Sequence, residues 1–134
     1  MIELQAALDG ALSPCSSLRV RAGFDLASYA ATPEAAEVLL ELLLDVADTA
    51  VTRRTAEALS RVGTVSAVRL IALALAEADD SHADWIQTGV QDVLWTQTGV
   101  PDVAAICVHL ARDREAAVRQ GAVEILEWTG DATR

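Results

Sequence analysis

Lysine is missing altogether, and all ten basic residues of the 134 are arginine, so no lysine nucleophile or Schiff base is available. Aromatic residues are scarce: three Trp, one Tyr and one Phe. The two cysteines, Cys15 in a Ser/Pro-rich stretch and Cys107 in an apolar one, have neither metal nor redox spacing and read as free thiols of a reducing compartment. The longest apolar run, Leu70 to Ala76, is less than half a membrane span, and the start lacks the positive region of an export signal. A soluble, cytoplasmic protein is expected. Basic charge is also short, at 10 residues against 20 acidic ones. A net charge of −10 repels phosphate backbones and anionic lipid headgroups, which argues against nucleic acid and membrane partners.

Alanine, at about a fifth of the chain, dominates what is present, and this composition predicts an all-α protein. The length suits one domain. Three segments align without gaps: Val51 to Leu59, Ile86 to Leu94 and Val118 to Leu126, spaced by 35 and then 32 residues. Repeats of this period are stacked supersecondary units, each unable to bury its apolar face alone, and they predict a short α-α superhelix.

A second pattern precedes each segment: Ala35, Val38, Leu39, Leu42, Leu43; then Ala67, Leu70, Ile71, Ala74, Leu75; then Val103, Ile106, Cys107, Leu110, Ala111. The spacing i, i+3, i+4, i+7, i+8 is one stripe of a helix. These helices open at Thr32-Pro33, Thr64-Val65-Ser66 and Val100-Pro101-Asp102, and end in acid at Asp45, Glu77 and Asp113. The second helices place Val51, Thr55, Ala58, Leu59 and their counterparts inward. Gly63, Gly99 and Gly130 are placed to cap them. Glycines 23, 89 and 121 share one repeat position inside the second helices, where the helix cost of glycine signals close approach of a neighbour. With Leu4, Ala7, Leu8, Ala11 and Leu12 on a first helix, and Val20, Phe24 and Ala27 on a second, the units are 1–31, 32–63, 64–98 and 99–130.

The Pro or Ser opening, the stripe ending in Asp, and the Asp-x-x-Val-Arg-like stretches leading into the second helices, Asp48 to Arg54 and Asp113 to Arg119, together resemble the HEAT and HEAT-like repeats, including the phycobilisome-lyase type. The resemblance implies a helical scaffold that binds proteins more often than it catalyses. It also implies an Asp/Arg ladder, with Asp48 paired to Arg53 or Arg54, and Asp113 or Glu115 paired to Arg119. The third unit departs from the pattern, with Gln87 in place of arginine and a longer acidic connection from Glu77 to Asp84.

In such stacks the second helices line the concave surface, and helical spacing puts Arg53, Glu57, Thr88, Asp92, Trp95, Gln120, Glu124, Glu127 and Tyr29 on that face, with Trp128 flanking. Glu57, Asp92 and Glu124 share a repeat position and form an expected acidic row. Solvation alone accounts for carboxylates, whereas an outward Trp is the composition of a protein-binding hot spot. Trp85 reads as a packing residue. Catalytic and metal-binding sets are not expected: His82 stands among Asp79, Asp80 and Asp84 without calcium-loop spacing, and His109 has no histidine partner. No cofactor is expected either. The expectation is a non-catalytic adaptor or inhibitor, such as an immunity-type protein, holding a basic protein partner. A small-molecule-binding or lyase-like protein and a purely structural module are the alternatives.

Overall fold

Local chemistry sets the helix ends in the computed structural model, which describes residues 2–96 and 103–129. Among these residues are eight α-helices and no strand. They are α1 (Ile2–Gly10), α2 (Ser16–Leu26), α3 (Pro33–Leu43), α4 (Thr49–Val62), α5 (Val65–Glu77), α6 (Asp80–Thr96), α7 (Val103–Leu110) and α8 (Ala116–Thr129). A 3-10 turn at Ala27–Tyr29 extends α2. Pro33 opens α3 in its first turn, where a missing N–H removes no helical bond. The Asp48 carboxylate accepts the N–H of Ala50 to open α4, and the Thr64 hydroxyl accepts the N–H of Ala67 to open α5. Gly63 ends α4 in the left-handed region at φ 62°, its N–H reaching the Leu59 carbonyl. The opening expected at Val100-Pro101-Asp102 and the caps expected at Gly99 and Gly130 lie outside the described residues.

The acidic connection 77–84 is shorter than its composition suggested. Asp79 accepts the N–H of His82 at 2.7 Å, so helix begins at Asp80 and only Ala78 and Asp79 remain between α5 and α6. Trp85, read as a packing residue, is 37% exposed on α6. In the first pair, α1 stops at Gly10, so Leu12 falls beyond it and is exposed, and Phe24 is only partly covered. No helix among the described residues is long and apolar enough to cross a membrane.

The core joins the expected stripes. Leu39, Leu43, Leu59, Ile71, Ile86 and Ile125 are fully buried, each contributing about 1.5–3 kcal/mol relative to exposure. Cys107 is buried among them on α7, while Cys15 is exposed at the start of α2. Helix α4 is flanked by α2 and α6 and also packs against α3 and α5. It therefore buries almost its whole circumference, including the hydroxyls of Thr52, Thr55 and Ser60. Helix α8 lies chiefly on α5 and only lightly on α6.

Glycine permits these approaches. A Cβ on Gly89 would run into the carbonyl oxygen of Arg53, one on Gly121 into the backbone of Ala72, and one on Gly23 would stand 2.8 Å from the Thr55 hydroxyl. Thus α6 seats on α4, α8 on α5 and α2 on α4, each through the residue whose side chain is missing.

Candidate protein-binding surface

The packing of α8 on α5 divides the expected face into two. Arg53, Glu57, Thr88, Asp92 and Trp95 remain together on α4 and α6. Gln120, Glu124, Glu127 and Trp128 lie on α8, away from that row, and Tyr29 lies in the 3-10 turn after α2, where it lines the hollow between α1 and α2.

On the α4–α6 face the charges are already paired. Arg53 donates through Nε at 3.2 Å and Nη2 at 2.9 Å to Asp92 Oδ2, tying the two helices across their shared groove. Glu57, expected on the surface, is 6% exposed, because α6 comes close enough over Gly89 to cover it. Both its oxygens are engaged: Arg54 Nη1 lies 3.4 Å from Oε1, and Arg61 Nη2 lies 2.7 Å from Oε2. A nearly buried carboxylate keeps its charge only with such partners. The row read as acidic is here three guanidinium groups around two carboxylates, which corrects its sign. Ser60, one turn beyond Glu57 on α4, is fully buried. Thr88 is half-buried and donates its hydroxyl to the Asp84 carbonyl at 3.0 Å, within its own helix.

Trp95 stands apart at 71% exposure, the most exposed aromatic residue among those described. It sits in the last turn of α6, past the Arg53–Asp92 pair. On α8, Gln120 and Glu127 are exposed, Glu124 is half-buried, and Trp128 packs part of its ring against the core. Burial pushes the Glu124 carboxyl above its ordinary range, and the neighbouring Glu127 charge adds to the shift.

A polar network that sequence reasoning missed joins α2, the α3–α4 turn and the start of α6. Arg19 on α2 reaches Asp45 with Nε at 3.0 Å and Nη2 at 3.2 Å, and the Ser13 carbonyl with Nη1 at 2.9 Å. The Asp45 carboxylate also accepts the N–H groups of Ala47 and Asp48. Its carbonyl faces His82 Nε2 at 2.7 Å, and His82 Nδ1 faces Asp79 Oδ1 at 2.8 Å. A carbonyl and a carboxylate both accept, so the ring satisfies them together only as the imidazolium. These contacts raise the His82 pKa above its ordinary value, the Asp45 carbonyl most and Asp79 next. With both nitrogens engaged, His82 is placed as a tie between α6 and the α3–α4 turn. Among the described residues no group of three or more His, Cys, Asp or Glu is placed to hold a metal ion.

The implied ladder takes different partners. Asp48 caps α4, and Asp113 pairs with Arg69 of α5 at 3.3 Å, while Arg119 donates to the Asp113 carbonyl at 2.8 Å. The signal was in the acids that end each first helix, Asp45 and Asp113, but their arginines come from other helix pairs. No family model, curated protein or solved structure matches the chain.

Proposed function

We propose that the chain is a non-catalytic protein-interaction module, a short HEAT-like α-α superhelix whose α4–α6 face receives a protein partner around Trp95. The observation that supports this reading is the exposed indole at the end of α6, the helix that, with α4, also carries guanidinium groups held in place by Glu57 and Asp92. Trp and Arg are the residues most enriched at interface hot spots. Here the arginines are ordered before any partner arrives, so less side-chain entropy is lost on binding.

The partner carries a basic surface. The α4–α6 centre does not attract it, but the whole chain does, with net charge −10 and the exposed acids Glu34, Glu37 and Glu41 along α3. Opposite net charge accelerates encounter, which suits a small acidic adaptor or an immunity-type inhibitor acting in the cytoplasm.

The test is capture from native lysate with the tagged protein and with Trp95→Ala, whose folding is checked by circular dichroism. One near-stoichiometric partner is expected, with capture reduced about tenfold or more in the variant. A partner retained equally by Trp95→Ala refutes the face. No partner in either sample refutes the function.

A further inference from the structure

We propose that the hollow between α1 and α2 is a binding site for a small zwitterion with an apolar body, the chemistry of a short apolar peptide. The cavity has a volume of about 570 Å³, within the usual range for small-molecule sites. Its walls are apolar and short: Ala6, Ala7 and Gly10 from α1, Leu18 and Ala22 from α2. Its polar groups converge from one stripe of α2 and the following turn, namely Arg21, Asp25, Ser28 and Tyr29. It lies on the opposite side of α2 from the α4 seat at Gly23, away from the Trp95 face.

Gly10 separates this hollow from ordinary loose packing. A Cβ there would meet only Ala22 Cβ at 3.6 Å and the Leu18 carbonyl at 3.7 Å, both ordinary contacts with wall residues. The backbone makes no demand either, because Gly63 alone has positive φ among the described residues. Glycine at 10 is therefore needed neither for helix approach nor for a turn, and its place in the wall leaves the hollow wider than a longer side chain would.

The charges select the ligand. Arg21 and Asp25 are exposed, one helical turn apart, and no ion pair holds either among the described residues. Residues so spaced stand about 6 Å apart at Cβ. Two extended residues span about 7 Å, so a dipeptide can set its carboxylate on Arg21 and its ammonium on Asp25 while its side chains rest on the alanine floor. A further stacked helix would instead bury Arg21 and Asp25 together, at a desolvation cost.

Calorimetric titration of the full chain with a panel of apolar dipeptides, beginning with leucyl-leucine, tests this. Saturable binding is expected, weakened about tenfold by N-acetylation or by C-terminal amidation. Asp25→Asn should abolish the effect of acetylation, and Arg21→Gln that of amidation. Gly10→Leu should fill the hollow, leave Tm unchanged or higher, and remove binding. The proposal is overturned if no peptide binds the wild-type chain at about 10 mM, if blocked and free peptides bind alike, or if binding survives in folded Gly10→Leu. It is equally overturned if Arg21→Gln or Asp25→Asn instead abolishes a concentration-dependent increase in mass, since the face then belongs to a second copy.

Discussion

The α3–α4 and α7–α8 turns are built on the same plan and docked on different neighbours. In each, an Asp carboxylate accepts the N–H two residues on, Ala47 or Glu115, and an arginine from a neighbouring helix, Arg19 of α2 or Arg69 of α5. In each, the carbonyl of that Asp faces a cation, His82 of α6 or Arg119 of α8. The differences lie in depth and origin. The Arg19 and Asp45 side chains are 11% and 12% exposed, whereas Arg69 is 35% exposed and shares itself with Glu115. At Asp45 the second cation belongs to the next helix pair, and at Asp113 to its own. One turn motif thus serves as a through-going tie in the middle of the chain and as a local clasp near its end.

Removing the acid should separate the two most widely. Asp45→Ala leaves Arg19 nearly buried without its partner, a loss expected at about 3 kcal/mol in denaturant unfolding. Asp113→Ala is expected to lose roughly a third of that, because its arginine keeps Glu115 and water. Equal losses would mean that depth does not matter here.

The glycine seats reverse the order. Gly121→Ala forces a methyl group onto the Ala72 backbone, which has no means of turning aside, and about 2–3 kcal/mol should be lost. Gly23→Ala meets the Thr55 hydroxyl, which can rotate, so the loss should be distinctly smaller. Comparable Tm shifts in the two variants would show that α8 can slide on α5.

The smallest effect is one of pH. His82 has a folded pKa above its ordinary value of 6.5, so its contribution is full below 6.5 and is lost as pH rises through the folded value. Wild-type Tm should therefore decline relative to His82→Gln as pH rises above 6.5. The α7–α8 turn has arginine in the corresponding role and should add nothing to that decline. A constant difference between the two proteins across this range would remove His82 from the tie.

How far the residues announced this arrangement depends on which question is asked of them. Periodicity shows which side of a helix is apolar, and Leu39, Ile71 and Ile125 are buried as their spacing implied. The recurrent glycines likewise marked close approach. Periodicity does not show which neighbour receives a stripe. The stripe of α8, Val118, Ala122 and Ile125, serves equally well against α6 or α5, and the chain uses α5. Helix α4 was the harder case. Thr52, Thr55 and Ser60 are small enough to pack on every side, so its wide polar arc is enclosed, and Glu57 with it. The partners of Arg19, Arg53 and Arg69 are far away in sequence, where no local spacing can identify them.

The placement of the two thiols turns the molecule into its own stopwatch. Burial pushes Cys107 up to about 12, whereas the N–H groups of Leu18 and then Ser17 hold the exposed Cys15 thiol below its usual range. An alkylating reagent near neutral pH therefore consumes Cys15 at once and waits for Cys107. Since Cys107 is buried on α7, which packs on α8 and α5, the slow second alkylation counts openings around α7 in the folded protein, with no denaturant present.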